Sequence, residues 1–265
     1  MHAFDYVKPQ TVWEAVDLLD DDPDARPLAG GMTLIPTLKQ RLAQPTTLVD
    51  LAGLEDLQII TEAPSSLTIG AMKRHVQVAR SPSVNAVLPV IAGLAEGIGD
   101  PHVRNRGTIG GSVSNSDPAA DYPAAVLGLG ATVITNRREI PGEAFFTGLF
   151  STALEQGEIV MAIRFPLPER AAYIKFPNPA SRYATVGVFV AVVKGQARMA
   201  ITGAGPCAFR LPQMEEALNR SFAVEAIRDI EISQDGLNTD PHATAEYRAH
   251  LIGVMARRAV EAALR

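Results

Sequence analysis

The stretch Thr108-Ile109-Gly110-Gly111-Ser112, running on into Asn115-Ser116-Asp117-Pro118-Ala119-Ala120-Asp121-Tyr122-Pro123, decides how this chain is read. Glycine lacks a Cβ, so it enters φ > 0 conformations and lets another molecule approach the backbone, where consecutive N–H groups form a concavity for anions. A second stretch of the same kind, Ala29-Gly30-Gly31-Met32-Thr33, lies about eighty residues earlier. Each sets glycine N–H groups beside a hydroxyl and between strand-like and helix-like sequence. One such loop alone is more often an ordinary strand-to-helix turn. Two of them point to a diphosphate held from two sides without lysines.

Composition narrows the class. With 265 residues, 47% of them hydrophobic, the chain can bury a core in one large or two modest domains. A formal charge of −5 leaves no basic surplus for nucleic acid or anionic lipid, so proteins and small molecules are the expected partners. The single Cys207 excludes an intramolecular disulfide framework, and also an iron–sulfur cluster held wholly by this chain, which needs about four thiolates. The opening Met1-His2-Ala3-Phe4-Asp5 has neither a basic n-region nor a long apolar h-region, so no signal peptide is expected. The longest weakly polar run, 122–134, falls short of the roughly 18 apolar residues of a membrane span, and a cytoplasmic protein is the expectation.

Periodicity gives short strands alternating with short helices. Thr11, three residues before Glu14, predicts a capping box for a helix whose apolar face is Val12, Ala15, Val16 and Leu19. Pro27-Leu28-Ala29 reads as a strand entering the first glycine loop, with a helix beginning at Leu34, Ile35 and Leu38, and Thr47-Leu48-Val49-Asp50 as the next strand. Runs 57–60 and 67–69 read as a hairpin, 74–80 and 84–96 as helices, and a further helix starts near Pro118. Gly128 and Gly130 read as a helix C-cap rather than a dinucleotide fingerprint. After Pro166-Leu167-Pro168 the pattern changes to β-branched strands 186–193 and 197–202 joined by Lys194-Gly195-Gln196, then a helical end over about 242–264. The domain boundary is placed near 169, giving domains 1–168 and 169–265.

Read whole, 100–123 resembles the FAD-binding medium subunit of the molybdenum hydroxylases, the family of carbon monoxide dehydrogenase and bacterial xanthine dehydrogenases. Phe4-Asp5-Tyr6 with Pro9, Ile69-Gly70-Ala71-Met72, Lys175-Phe176, Ala180-Ser181-Arg182-Tyr183-Ala184 and Glu246-Tyr247-Arg248 fall in the order that family shows, so the resemblance covers nearly the whole chain. It implies an α+β fold: a two-part FAD-binding domain of the vanillyl-alcohol-oxidase (PCMH) type, followed by a smaller domain of antiparallel sheet and helices. It implies non-covalent FAD here, with a molybdenum cofactor on a large partner subunit and [2Fe-2S] clusters on a small one, assembled as a dimer of heterotrimers. Electrons from those clusters would pass through the FAD to an external acceptor.

The resemblance also implies site residues. Ala29, Gly30, Gly31, Met32 and Thr33 would approach one side of the FAD diphosphate, and Thr108, Ile109, Gly110, Gly111 and Ser112 the other. Relatives often carry a polar residue where this chain has Met32, which leaves the backbone contacts unaffected. Asp121 would accept hydroxyls of the cofactor, or serve as a first-turn acid favoured by the helix dipole. Asn115 and Asp117 would reach the flavin ribityl or cap the following helix. Lys175 would offset phosphate charge or be a solvated strand lysine, and Tyr183 would lie by the isoalloxazine ring or pack as a half-buried tyrosine. Arg104 and Arg106 would meet the cofactor or a partner subunit, although two arginines before a loop are more often structural or solvated.

Other chemistries find little support. His2, His75, His102, His242 and His250 show no zinc-site pairing, and no Gly-x-Ser-x-Gly elbow or base beside Cys207 suggests a nucleophilic hydrolase. Alternatives of the same broad fold are a stand-alone flavin oxidase or dehydrogenase tethering its flavin through His75, a nucleotide-sugar reductase, and an assembly subunit without cofactor.

Overall fold

Thr11 opens the first helix as its spacing predicts. Its hydroxyl accepts the Glu14 N–H at 3.1 Å, while the Glu14 carboxylate accepts the N–H of Gln10, one residue earlier than a strict capping box requires. The helix, Val12–Asp21, buries Val12, Ala15, Val16 and Leu19 against Val49, Leu51, Leu54 and Leu57. In the computed structural model, which describes residues 1–265, this helix crosses between two strands of a small parallel sheet. Its order is Asp5–Val7, Thr47–Asp50, Arg26–Leu28. Parallel neighbours require crossovers, supplied by this helix and by Leu34–Lys39. The first glycine loop is the turn from Arg26–Leu28 into Leu34–Lys39.

A second sheet is antiparallel, in the order Ile60–Ala63, Ser66–Gly70, Val160–Pro166, Thr132–Thr135, Glu139–Pro141. The expected hairpin exists, but its first arm begins three residues later than the apolar run 57–60 suggests. Leu57 lies in a 3-10 turn, Glu55–Gln58, with its side chain wholly buried, and the arms meet at Ala63 opposite Ser66 around Pro64-Ser65. The helix expected over 84–96 is two, Pro82–Val87 and Pro89–Glu96, because Pro89 lacks an N–H and forces Leu88 out of helical geometry to φ −145°, ψ 58°. The helix expected near Pro118 is likewise replaced by two, Ile109–Asn115 and Tyr122–Leu129, with Pro123 in the first turn of the second. Gly130 caps it at φ +62°, as expected.

The third sheet, Arg170–Pro177, Ala184–Val193, Gln196–Thr202 and Phe209–Arg210 in that order, is antiparallel throughout. Ala184–Val193 is almost continuously buried because both of its faces are covered. Phe189, Ala191 and Val193 point toward the core containing Tyr122, Leu127 and Leu129, while Val186, Val188 and Val190 pack under the C-terminal helix, Ala245–Ala263. Lys194 and Gly195 make the turn with φ of +51° and +72°. The final helix starts at the Thr244 cap, whose hydroxyl accepts the Tyr247 N–H at 3.2 Å.

His75 is a core residue. It is 4% exposed, tilts against Tyr122 with ring centroids 5.5 Å apart, and burial, with help from Arg104, lowers its pKa from 6.5 to about 4. Between those values the unfolded chain binds a proton that the folded chain refuses, so this contribution to stability is complete above pH 6.5 and declines as pH falls toward 4. Urea unfolding at pH 7 and pH 4.5 is expected to show this loss, up to about 3 kcal/mol, in the parent and not in His75→Phe.

Candidate functional site

A cavity of about 610 Å³ opens between the first glycine loop, the Ile109–Asn115 helix and the segment 180–183. Its size suits a large small-molecule ligand. At the loop, Gly31 takes φ +72°, and the backbone N–H groups of Gly30, Gly31, Met32, Thr33 and Leu34 donate to no other group of the protein. All five residues line the cavity. Gly30 is glycine by necessity: a Cβ there would stand 2.2 Å from Arg106 O and 2.7 Å from Gly107 Cα, where two chain segments touch backbone to backbone. Thr33 precedes the helix Leu34–Lys39 without capping it, so its hydroxyl is not engaged there.

The second glycine stretch is built differently from expectation. It is the first turn of a helix, with the Thr108 hydroxyl as N-cap accepting the Gly111 N–H at 3.1 Å. Ile109 N donates to Lys73 O, Gly110 N to Ala71 O and Ser112 N to Thr108 O, so these four N–H groups are all engaged within the protein. Its glycines serve close approach instead, since a Cβ on Gly110 would fall 2.4 Å from the Ala71 Cβ. Ile109 is wholly buried and faces the core, not the cavity. Thr108, Gly110, Gly111, Ser112 and Asn115 line the cavity, as do Ala29 and Tyr183, the latter 44% exposed.

The acids depart from their expected roles. Asp117 caps no helix, because none begins at Pro118; its carboxylate accepts the Ala119 N–H at 2.8 Å in a local turn, and burial raises its pKa. Asp121 lines the cavity but is only 4% exposed and already engaged. Lys175 Nζ lies 3.0 Å from it and the Tyr173 hydroxyl donates to it; burial nevertheless raises its pKa against the pull of both. Lys175 therefore neither faces the cavity nor stands in solvent. Its side chain is 11% exposed and also donates to Gly97 O at 2.9 Å. Arg104 is structural, donating to Ile98 O and Gly99 O, and Arg106 contributes its carbonyl to the contact with Gly30.

Sequence reasoning missed Ser114, Asp100 and Arg182 in the cavity wall. Asp100-Pro101 carried a readable signal, an N-cap before a first-turn proline, and Asp100 does accept the Val103 N–H at 2.9 Å. Arg182, at φ +62° in the 178–183 loop, had none. The cavity thus offers a run of unpartnered N–H donors, hydroxyls and apolar wall. No group of His, Cys, Asp and Glu is placed to hold a metal ion.

Comparison with known proteins agrees with this geometry. Residues 2–168 match the family model described as the FAD binding domain in molybdopterin dehydrogenase. The carbon monoxide dehydrogenase medium chain of Hydrogenophaga pseudoflava is 36% identical over 277 residues, covering 98% of this chain and 96% of that one. The nicotine 6-hydroxylase medium subunit of Paenarthrobacter nicotinovorans is 32% identical, covering 97% and 96%. Among solved structures, carbon monoxide dehydrogenase from Hydrogenophaga pseudoflava superposes with a TM-score of 0.91 at 35% identity, covering 99% of this chain and 98% of that one. Quinoline 2-oxidoreductase from Pseudomonas putida 86 does so with 0.89 at 29% identity and the same coverage. This chain belongs to the family of FAD-binding medium subunits of the molybdenum hydroxylases.

Proposed function

We propose that this chain holds FAD non-covalently in the cavity and is the electron-transfer subunit of a molybdenum hydroxylase. The observation that carries the reading is the row of five unpartnered N–H groups from Gly30 to Leu34 along the wall. Such a row suits a diphosphate, whose oxygens accept several hydrogen bonds and whose negative charge the N–H dipoles offset without a lysine. When bound, the FAD takes up and passes on electrons; the chain's residues supply binding, orientation and exclusion of water. Ser112, Ser114 and Asn115 offer polar contacts on the facing helix, Gly110 and Gly111 a surface free of side chains, and Tyr183 an aromatic wall. Asp121 holds the cavity floor through Lys175 and Tyr173 rather than acting as a free acceptor. His75 also lines the cavity, but it is only 4% exposed and its Nε2 is packed against Gly107, where an added Cβ would meet it at 2.5 Å, which disfavours the alternative of a tether through it.

The relatives are medium subunits, which supports a molybdenum-bearing large subunit and an iron–sulfur small subunit as partners, with electrons passing from the latter through FAD to an external acceptor. A dimer of heterotrimers, a cytoplasmic location and a boundary between domains 1–168 and 169–265 complete the proposal. No helix is long and apolar enough to cross a membrane.

Adding FAD at a hundred times its dissociation constant is expected to stabilise the purified chain by about 2.7 kcal/mol, seen as an upward shift in a thermal melt, with yellow colour released on denaturation. No shift and no colour would remove the reading. Gly30→Ala is expected to abolish flavin retention, read from the absorbance of the denatured supernatant, because its methyl must displace the backbone at Arg106 and Gly107. Asp121→Ala is expected to cost about 3–5 kcal/mol in urea unfolding, since it leaves the buried Lys175 without a counter-charge and with only the Gly97 carbonyl to bond, and the pairing with Lys175→Met should recover much of that loss.

A further inference from the structure

The cavity does not use the stretch Glu246-Tyr247-Arg248, yet Arg248 is one of the most deeply buried charges of the chain, its side chain 5% exposed. It leaves the C-terminal helix near its start and donates from Nη1 to two carbonyls, Thr185 O at 2.6 Å and Gly203 O at 2.7 Å, while Nη2 pairs with Asp240. Those carbonyls belong to neighbouring strand ends. Gly203, at φ +84°, admits no side chain, since a Cβ would stand 2.4 Å from Ala184 O. Beside the tied carbonyls lie the groups that hold the segment between the two cavity helices. Gly203 N donates to Pro118 O at 2.7 Å, Ala184 N to Ala119 O at 3.3 Å, and the Thr202 hydroxyl bonds Ala120 O at 2.6 Å and Pro118 O at 3.0 Å. Three successive carbonyls are thereby fixed, and the residues flanking them, Asp117 and Asp121, both line the cavity.

The energetics favour geometry over bulk stability as the arginine's contribution. Its Nε has no partner, and its one acid, Asp240, is 41% exposed. Replacing a buried guanidinium so served by a packed apolar side chain of similar volume is often neutral or stabilising. Nη1, whose two N–H bonds are held in the guanidinium plane, binds carbonyls of two strands and so fixes their spacing as no apolar group can.

We propose that Arg248 is a positioning residue for the cofactor cavity. By tying Thr185 to Gly203 it fixes the strand ends that hold Pro118, Ala119 and Ala120, and so sets where Asp117 and Asp121 stand toward the flavin. The inference rests on FAD occupying the cavity as proposed above.

The test uses the full chain and compares the parent with Arg248→Met, Arg248→Lys and Thr202→Val. The readouts are FAD affinity by fluorescence titration, the visible circular dichroism of the bound flavin, and its midpoint potential. Arg248→Met is expected to weaken FAD binding at least about tenfold and to change both the dichroism and the potential. Thr202→Val, which cuts the same relay at its other end, should act in the same direction. Together the two should weaken binding by less than the product of their separate effects. Arg248→Lys should restore part of the affinity. A merely structural arginine would lower the melting temperature and leave the bound flavin's spectrum and potential unmoved. Folded Arg248→Met and Thr202→Val proteins with parental affinity, dichroism and potential would overturn the proposal. Should Arg248→Met fail to fold, Thr202→Val and Arg248→Lys decide by the same criteria. A parent that takes up no FAD would sink the reading of the cavity and this inference together, whereas a flavin-binding parent with indifferent variants would sink this one alone.

Discussion

Backbone meets backbone where the first glycine loop touches the Arg106–Gly107 turn, and the rest of the cavity depends on that contact. The absence of a Cβ on Gly30 lets the two segments close to a distance that no side chain permits. A similar approach joins Gly110 to Ala71. These two contacts draw the parallel sheet and the antiparallel sheet together around one opening. The loop that is drawn in keeps its N–H groups free, because it lies between a strand end and a helix start and neither ladder uses them.

The third sheet completes the same opening from behind. Its central strand is covered on both faces, so it belongs at once to the core of the cavity helices and to the core under the C-terminal helix. The Asp121, Lys175 and Tyr173 cluster lies on that seam, with Lys175 and Tyr173 from the sheet and Asp121 from the helix start. An ion pair buried in this way adds little net stability, but it strongly disfavours any arrangement that separates its members. The division of the chain into a flavin-binding part and a smaller appended part therefore understates their dependence.

Much of the fold was legible locally. The Thr11 cap and the face of Val12, Ala15, Val16 and Leu19, the strand Thr47–Asp50, and the Lys194-Gly195 turn follow from side-chain periodicity and backbone preference within a few residues. Illegible elements were those whose partners are distant. Arg170–Pro177 carries no strong alternation and becomes a strand because Ala184–Val193 pairs along its whole length. Pro118 looked like a helix start, but the carbonyls of Pro118, Ala119 and Ala120 are claimed by the third sheet, so the helix waits until Tyr122.

Family and cofactor class could be read from the residues alone, as could part of the cavity wall, because glycine pairs, hydroxyls and caps declare their backbone geometry at short range. Which donors stay free depends on contacts between distant segments. Gly30 to Leu34 keep theirs, while Ile109 and Gly110 give theirs to Lys73 and Ala71, nearly forty residues away. The tertiary structure also decided that Asp121 and Lys175 satisfy each other, and that Arg248, far from the glycine loops in sequence, stands behind the segment between them. A polar group's role is set by the partners that packing places within hydrogen-bond distance, and those come from elsewhere in the chain.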